Sequence, residues 1–244
     1  MTNIAENYVR VQERIEAAAA RAGRPSSTIT LVAVTKTWPV EVLLEAYSAG
    51  MRHFGENRIH ELAEKRPLLE NQLGPDSGIT WHQIGTLQSR QTNIAADYAD
   101  IFHALDRVKI ARRLSNQLGE SGRTLPTFLE INVSGEGSKS GFEVSNWENN
   151  ATERAELRKA ITEIAGMPGI KICGLMTMAP WDVPEKIVRP VFRRTRQLAQ
   201  WLQAEFTDED FSQLSMGMTD DFQIAIEEGA THIRVGRAIF GSRQ

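Results

Sequence analysis

Leu31-Val32-Ala33-Val34-Thr35-Lys36 is a short run rich in β-branched residues, with polar Thr28 before it and Thr37-Trp38-Pro39 after it. An apolar run of this length, with no polar alternation, reads as a strand buried on both faces, as in a parallel sheet. The lysine stands at its carboxyl end. In parallel α/β folds that end faces the side where ligands bind. Desolvation and any nearby cation lower the pKa of an amine placed there, which yields the neutral nucleophile that forms Schiff bases. A strand-end lysine can also simply snorkel to water, so the rest of the chain has to decide between the two.

Working outward, residues 4–22 have helical spacing and include Ala17-Ala18-Ala19-Ala20, ending near Gly23-Arg24-Pro25. Strand and helix signals alternate from there on. Strands are predicted near 30–36, 52–55, 80–84, 100–103, 126–133, 170–176, 212–215 and 231–235, with the clearest helices near 40–49, 58–66, 107–118, 151–165, 185–206 and 220–228. Eight strands, most of them followed by a helix, predict an α/β fold: a single (β/α)8 TIM-type barrel with an extra N-terminal helix. The alternative is an open doubly wound sheet, because 52–55 and 212–215 are short. A chain of 244 residues suits the barrel, which typically takes about 250. No Pro/Gly/Ser-rich linker divides it, so residues 1–244 read as one domain. The polar stretch 134–150 would be a loop on the ligand-binding face.

Composition removes several classes of function. A net charge of −3 argues against a polyanion-binding surface, so no nucleic acid partner is expected. The single cysteine, Cys173, lies in an apolar run and reads as a core thiol with no disulfide partner. Met1-Thr2-Asn3-Ile4 opens no secretory signal, and no run is long enough for a membrane span, so a cytoplasmic protein is expected. The histidines, His53, His60, His82, His103 and His232, are scattered without metal-ligand spacing; His82, beside Gln83 at a strand end, is a candidate for lining the pocket. Gly135-Glu136-Gly137-Ser138-Lys139-Ser140-Gly141 lacks the Gly-Lys-[Ser/Thr] ending of a nucleotide-phosphate loop. Asp220-Asp221 reads as a helix N-terminus rather than a catalytic pair.

The predicted strand ends supply a coherent set of polar groups. Lys36 follows the first, Gly55-Glu56-Asn57 the second, Trp81-His82-Gln83 the third, Ser215-Met216-Gly217 the seventh and Arg234-Val235-Gly236-Arg237 the eighth. Barrels often hold phosphate with the loops after strands seven and eight. Ser215, Gly217 and Gly236 offer a hydroxyl and unobstructed backbone N–H groups for that purpose, and helices beginning near Thr219 and Arg237 would add their dipoles. An amine and a phosphate grip on one face suggest a phosphorylated aldehyde held as an imine, a description that pyridoxal 5′-phosphate fits.

With these residues in view, the chain resembles the pyridoxal phosphate homeostasis protein family, itself similar to the N-terminal barrel domain of alanine racemase. The resemblance rests on Ala33-Val34-Thr35-Lys36-Thr37, Phe54-Gly55-Glu56-Asn57, Trp81-His82-Gln83-Ile84-Gly85-Thr86-Leu87-Gln88 and Ser138-Lys139-Ser140-Gly141-Phe142. It continues through Gly174-Leu175-Met176-Thr177-Met178, Leu214-Ser215-Met216-Gly217-Met218-Thr219-Asp220-Asp221 and Ile233-Arg234-Val235-Gly236-Arg237-Ala238-Ile239-Phe240-Gly241. It implies that Lys36 carries the cofactor as an internal aldimine, with Asn57 beside the ring. It also implies that Ser215 and the backbone of Gly236 and Arg237 hold the phosphate, and that Arg234 faces the pyridine nitrogen. Many relatives have threonine at position 237; arginine keeps the backbone donor there and loses the hydroxyl.

Arg234 also bears on turnover. A guanidinium only donates hydrogen bonds, so a ring nitrogen opposite it accepts one and stays unprotonated, which makes the ring a poor electron sink. Racemases of this kind, the resemblance implies, compensate with a tyrosine base from a further domain. Here Tyr8, Tyr47 and Tyr98 fall in helical or pre-strand stretches, and the sequence ends a few residues past the last motif. The expectation is therefore a pyridoxal 5′-phosphate-binding protein that holds the cofactor and supplies it to apo-enzymes without substantial turnover, with a single-base amino-acid racemase as the alternative. A monomer is expected, because the racemase-type dimer contact would be missing.

Overall fold

The computed structural model describes residues 3–137 and 139–241. Ser138, quoted above within a motif, lies outside the described residues, as do Met1, Thr2 and the last three positions. The strands are β1 (Thr30–Val34), β2 (His53–Glu56), β3 (Thr80–Gln83), β4 (Ile101–Leu105), β5 (Leu125–Asn132), β6 (Phe142–Glu143), β7 (Ile170–Met176), β8 (Gln213–Ser215) and β9 (His232–Val235). They are hydrogen-bonded in the order β4-β3-β2-β1-β9-β8-β7-β5-β6, every pair parallel. A further β4–β5 pairing through Phe102 and Leu105 closes the sheet. The fold is a (β/α)8 barrel, and closure excludes the open doubly wound sheet.

All eight predicted strands form. β6, which the sequence did not suggest, is two residues laid on the end of β5 at Ile131 and Asn132. Helices α1 (Ile4–Arg21), α2 (Val40–Ser48), α3 (Ile59–Leu73), α4 (Thr92–Tyr98), α5 (Val108–Ser121), α6 (Ala151–Ala165), α7 (Glu185–Glu205), α8 (Phe222–Glu227) and α9 (Arg237–Phe240) surround the barrel. α4 is absent from the sequence reading for a physical reason. Its seven residues include Thr92, Asn93 and Asp97, which are weak helix formers, and it has no side-chain cap. Tertiary packing of buried Thr92, Ala95 and Ala96 against α3 and α5 holds it instead.

The leading helix forms where predicted. Asn3 caps it by accepting the Glu6 N–H at 3.1 Å. Ile4, Val11, Ile15, Ala18 and Ala19 make one buried face, which packs on α8 and α9. Asn7 Nδ2 donates to the Ile239 carbonyl at 2.9 Å, tying this helix to α9 just after β9. α1 thereby braces the last two loops of the barrel.

Candidate functional site

β1 stops at Val34, so Lys36 does not end the strand as expected; it sits in the following turn. Thr35 extends the pairing by one bond, its N–H reaching the Gly55 carbonyl at 3.0 Å. Thr37 then takes a left-handed backbone, φ 69°. Its N–H is accepted by Glu61 Oε2 at 2.6 Å. Beneath the turn lies Lys65, buried, donating to the Thr35 carbonyl at 3.0 Å, to Glu56 Oε1 at 2.8 Å and to Glu61 Oε2 at 3.1 Å. Thr35 Oγ1 completes the cluster at 2.7 Å from Glu56 Oε1. One ammonium and two carboxylates from β2 and α3 therefore fix the backbone that presents Lys36.

Lys36 opens onto a cavity of about 720 Å³ at the carboxyl ends of the strands, within the usual size range of small-molecule sites. Asn57, Arg234, Gly236 and Arg237 line it as well. Five of the six expected site residues therefore share one space. Ser215 is the exception, because it is fully buried inside the barrel. Its Oγ accepts from Arg234 Nη1 at 2.6 Å and lies 2.8 Å from His103 Nδ1, so its hydroxyl is committed to Arg234 and His103 and is not among the cavity-lining groups. Thr219, four residues on in the same loop, does line the cavity.

The two phosphate-type loops lie side by side. Gly217 has φ 95°, and a Cβ there would come within 2.6 Å of the Ala225 Cβ, so only glycine fits this turn. α8 begins at Phe222, later than the expected start near Thr219. Residues 218–221 instead make a turn in which Asp221 Oδ1 accepts the Met218 N–H at 2.6 Å. α9 does begin at Arg237, and Arg237 pairs with Asp220, joining the two loops. Two acidic side chains at the cavity are thus already engaged, and Glu185, also lining it, pairs with Arg189.

Arg234 is the group most shaped by its surroundings. It is buried, with Nη1 on Ser215 and Nη2 on the Thr177 carbonyl at 3.0 Å. Among the described residues no carboxylate lies within ion-pair distance of it. Burial lowers its pKa to about 10 against the longer-range attraction of Asp221 and Glu130. Glu130, also buried, is pushed up to about 7 by desolvation and by Asp106, and its Oε2 has no hydrogen-bond partner among the described residues.

His82 does not line the cavity; it is completely buried inside the barrel. There it meets His53, His103 and His232, histidines that the sequence scatters. Ring centroids of His82 and His103 on β3 and β4 lie 6.3 and 5.8 Å from His232 on β9, across the barrel rather than along it. Among the described residues no group of three or more side chains is arranged to hold a metal ion. Burial depresses His82 and His103 well below the ordinary imidazole range, and His232 to about 4. Cys173 is buried, with its thiol pushed up by desolvation, as a core cysteine should be. Tyr8, Tyr47 and Tyr98 belong to α1, α2 and α4. Pro180, Trp181 and Val183 border the cavity, and Trp181 is 73% exposed. Among the described residues no helix is long and apolar enough to cross a membrane.

Comparison with known proteins gives the family of the chain. The family model "Alanine racemase, N-terminal domain" matches residues 7–244. A pyridoxal phosphate homeostasis protein of Vibrio cholerae is 40% identical over 245 residues, covering 100% of this chain and 98% of its own. The one from Aquifex aeolicus is 36% identical over 242 residues, with 99% of each chain covered. PipY of Synechococcus elongatus, solved with PLP bound, superposes with a TM-score of 0.78 at 33% identity, covering 95% of this chain and 100% of its own. By full-length identity as well as by fold, this chain belongs to the pyridoxal phosphate homeostasis protein family.

Proposed function

We propose that this protein binds pyridoxal 5′-phosphate in the cavity at the carboxyl ends of its strands and holds it through Lys36, keeping the reactive aldehyde low while supplying apo-enzymes. The convergence of Lys36, Asn57, Arg234, Gly236 and Arg237 on one cavity carries the reading. The donor set fits a phosphorylated pyridine aldehyde: an amine for the aldehyde, a guanidinium for the ring nitrogen, and a hydroxyl with glycine-bearing loops for the phosphate. When bound, the cofactor supplies an electrophilic aldehyde conjugated to a ring. Lys36 Nζ would condense with that aldehyde, forming a carbon–nitrogen double bond and releasing one water. Thr219 and the backbone of Gly236 and Arg237 would hold the phosphate, while Ser215 serves Arg234 from behind.

Two features favour holding over turnover. Arg234 can only donate, so a pyridine nitrogen opposite it remains unprotonated and withdraws electrons weakly. In addition, three of the four acidic residues lining the cavity, Asp220, Asp221 and Glu185, are engaged by Arg237, the Met218 N–H and Arg189. The test is direct. Wild-type protein mixed with pyridoxal 5′-phosphate should develop a visible band that borohydride abolishes, with the reduced adduct located by mass on the peptide containing Lys36. Lys36→Ala should lose the reducible species and keep a weaker, phosphate-anchored complex. An adduct on another lysine would overturn the assignment, and sustained racemisation of amino acids above the rate of free cofactor would overturn the holding role.

A further inference from the structure

Behind Arg234 the barrel interior contains a continuous line of hydrogen-bonding side chains from five strands. Arg234 Nη1 lies 2.6 Å from Ser215 Oγ, Ser215 Oγ 2.8 Å from His103 Nδ1, His103 Nε2 2.8 Å from His82 Nδ1, and His82 Nε2 3.0 Å from His53 Nδ1. Ser215, His103 and His82 are fully buried, and His53, on the first residue of β2, is partly exposed. The line therefore runs from the ligand side to the opposite end of the barrel. We infer that His53, His82 and His103, relayed by Ser215, form a one-way hydrogen-bonded chain that positions Arg234 as a fixed donor to the cavity. The consequence for a bound pyridine nitrogen rests on the function proposed above; the chain itself does not.

Its direction follows from the donor and acceptor inventory. A guanidinium cannot accept, so Ser215 Oγ must accept from Arg234. The hydroxyl has one hydrogen, and giving it to His103 Nδ1 satisfies both groups. Were His103 Nδ1 protonated instead, it would donate to the second lone pair of Ser215 Oγ, and the hydroxyl hydrogen would be left buried without a partner. A neutral imidazole accepting at Nδ1 carries its proton on Nε2. His103 Nε2–H thus donates to His82 Nδ1, and His82 Nε2–H to His53 Nδ1. Burial and the nearby Arg234 charge both keep His103 neutral.

The arrangement solves a definite problem. A carboxylate behind Arg234 would hold it firmly but would also neutralise it. Neutral acceptors hold it without cancelling its charge, and each successive imidazole is polarised by the one before, spreading the charge toward His53. The second arm of the guanidinium on the Thr177 carbonyl follows the same rule.

Histidine tautomers can be read by nitrogen-15 NMR of the full-length, ligand-free protein near neutral pH. His53, His82 and His103 should all be neutral with the proton on Nε2; a charged ring, or a proton on Nδ1 at His82 or His103, overturns the chain. Variants then test positioning. His103→Asn keeps an acceptor close to the Nδ1 position and should retain pyridoxal 5′-phosphate affinity and the wild-type absorption band. His103→Leu removes the acceptor and should bind about tenfold more weakly with a displaced band, the loss expected for one broken hydrogen bond. Equal affinity and identical spectra for the two variants would show that His103 only fills space. Should His103→Leu fail to fold, Ser215→Ala makes the same break with a smaller change, and unchanged affinity and spectrum there would overturn the proposal. Because the tautomers are read without ligand, a wild-type protein that forms no borohydride-reducible species would defeat the ligand assignment alone and leave the NMR result to decide the chain.

Discussion

Gly217 turns the chain from β8 toward the cavity with φ 95°, and its Cα faces Phe222 and Ala225 so closely that a methyl group has no room. Gly217→Ala combines a backbone penalty of about 1–2 kcal/mol with overpacking of about 1–3 kcal/mol. A loss of roughly 2–5 kcal/mol in urea unfolding is expected, together with weaker ligand binding as the loop bearing Thr219 shifts. A variant as stable as wild type would mean that the turn relaxes freely. Ser215 shows the limit of reading single residues. β8 has three residues, and in so short a strand a one-residue change of phase exchanges interior and exterior side chains. The sequence marks Ser215 as polar and at a strand end, but not as facing His103, 112 positions away.

At the level of elements, α3 does more than cover the barrel, since it delivers Lys65 and Glu61 beneath the turn that presents Lys36. Lys65 Nζ is shared by two carboxylates, and Glu56, one of them, is fully buried. Lys65→Met would leave that acid without its cation, and breaking a buried pair from one side costs about 3–5 kcal/mol. Urea unfolding should show a loss of that order, and Lys65→Met combined with Glu56→Gln should recover part of it. A single variant with wild-type stability would show the pair to be dispensable. The elements themselves were largely legible, because eight apolar runs at regular spacing suit only a few parallel architectures. β6 and α4 were not. Two residues carry no periodicity, and α4 owes its helix to its neighbours rather than to its own sequence. The meeting of four histidines was equally hidden, since only closure of the sheet brings β2, β3, β4 and β9 around one interior.

For the whole molecule, the buried titratable groups pull stability in opposite directions as pH falls. His82, His103 and His232 stay neutral when folded, whereas their unfolded counterparts take up protons below about pH 6.5. Each therefore lowers stability as pH drops below 6.5, His232 doing so down to about 4. Glu56 and Glu130, raised to about 7 from 4.5, bind protons first in the folded chain, so their contribution is complete below pH 4.5 and is lost as pH rises through 7. Three histidines exceed two carboxyls by one proton between pH 4.5 and 6.5, so stability should already decline there by about 1.4 kcal/mol per pH unit. His53, also lowered by burial, adds to the decline. Below pH 4.5 the two raised carboxyls no longer offset the histidines. Protonation of Glu61, Glu148, Glu227 and Glu228, held low by hydrogen bonds, adds to the loss, so stability should fall more steeply. Glu130→Gln removes one counterweight. Its decline below pH 6.5 should be steeper than that of wild type by about 1.4 kcal/mol per pH unit. Urea midpoints for both proteins between pH 4 and 7 give the comparison; parallel curves would mean that Glu130 is already ionised.

Trp181 leans into water beside the entrance, while Trp81 is sealed in the core. An indole so placed responds to whatever passes it, and a conjugated ring arriving within a few ångströms would drain its fluorescence. Traffic through the doorway therefore writes its own optical record, with no dye attached and no residue altered.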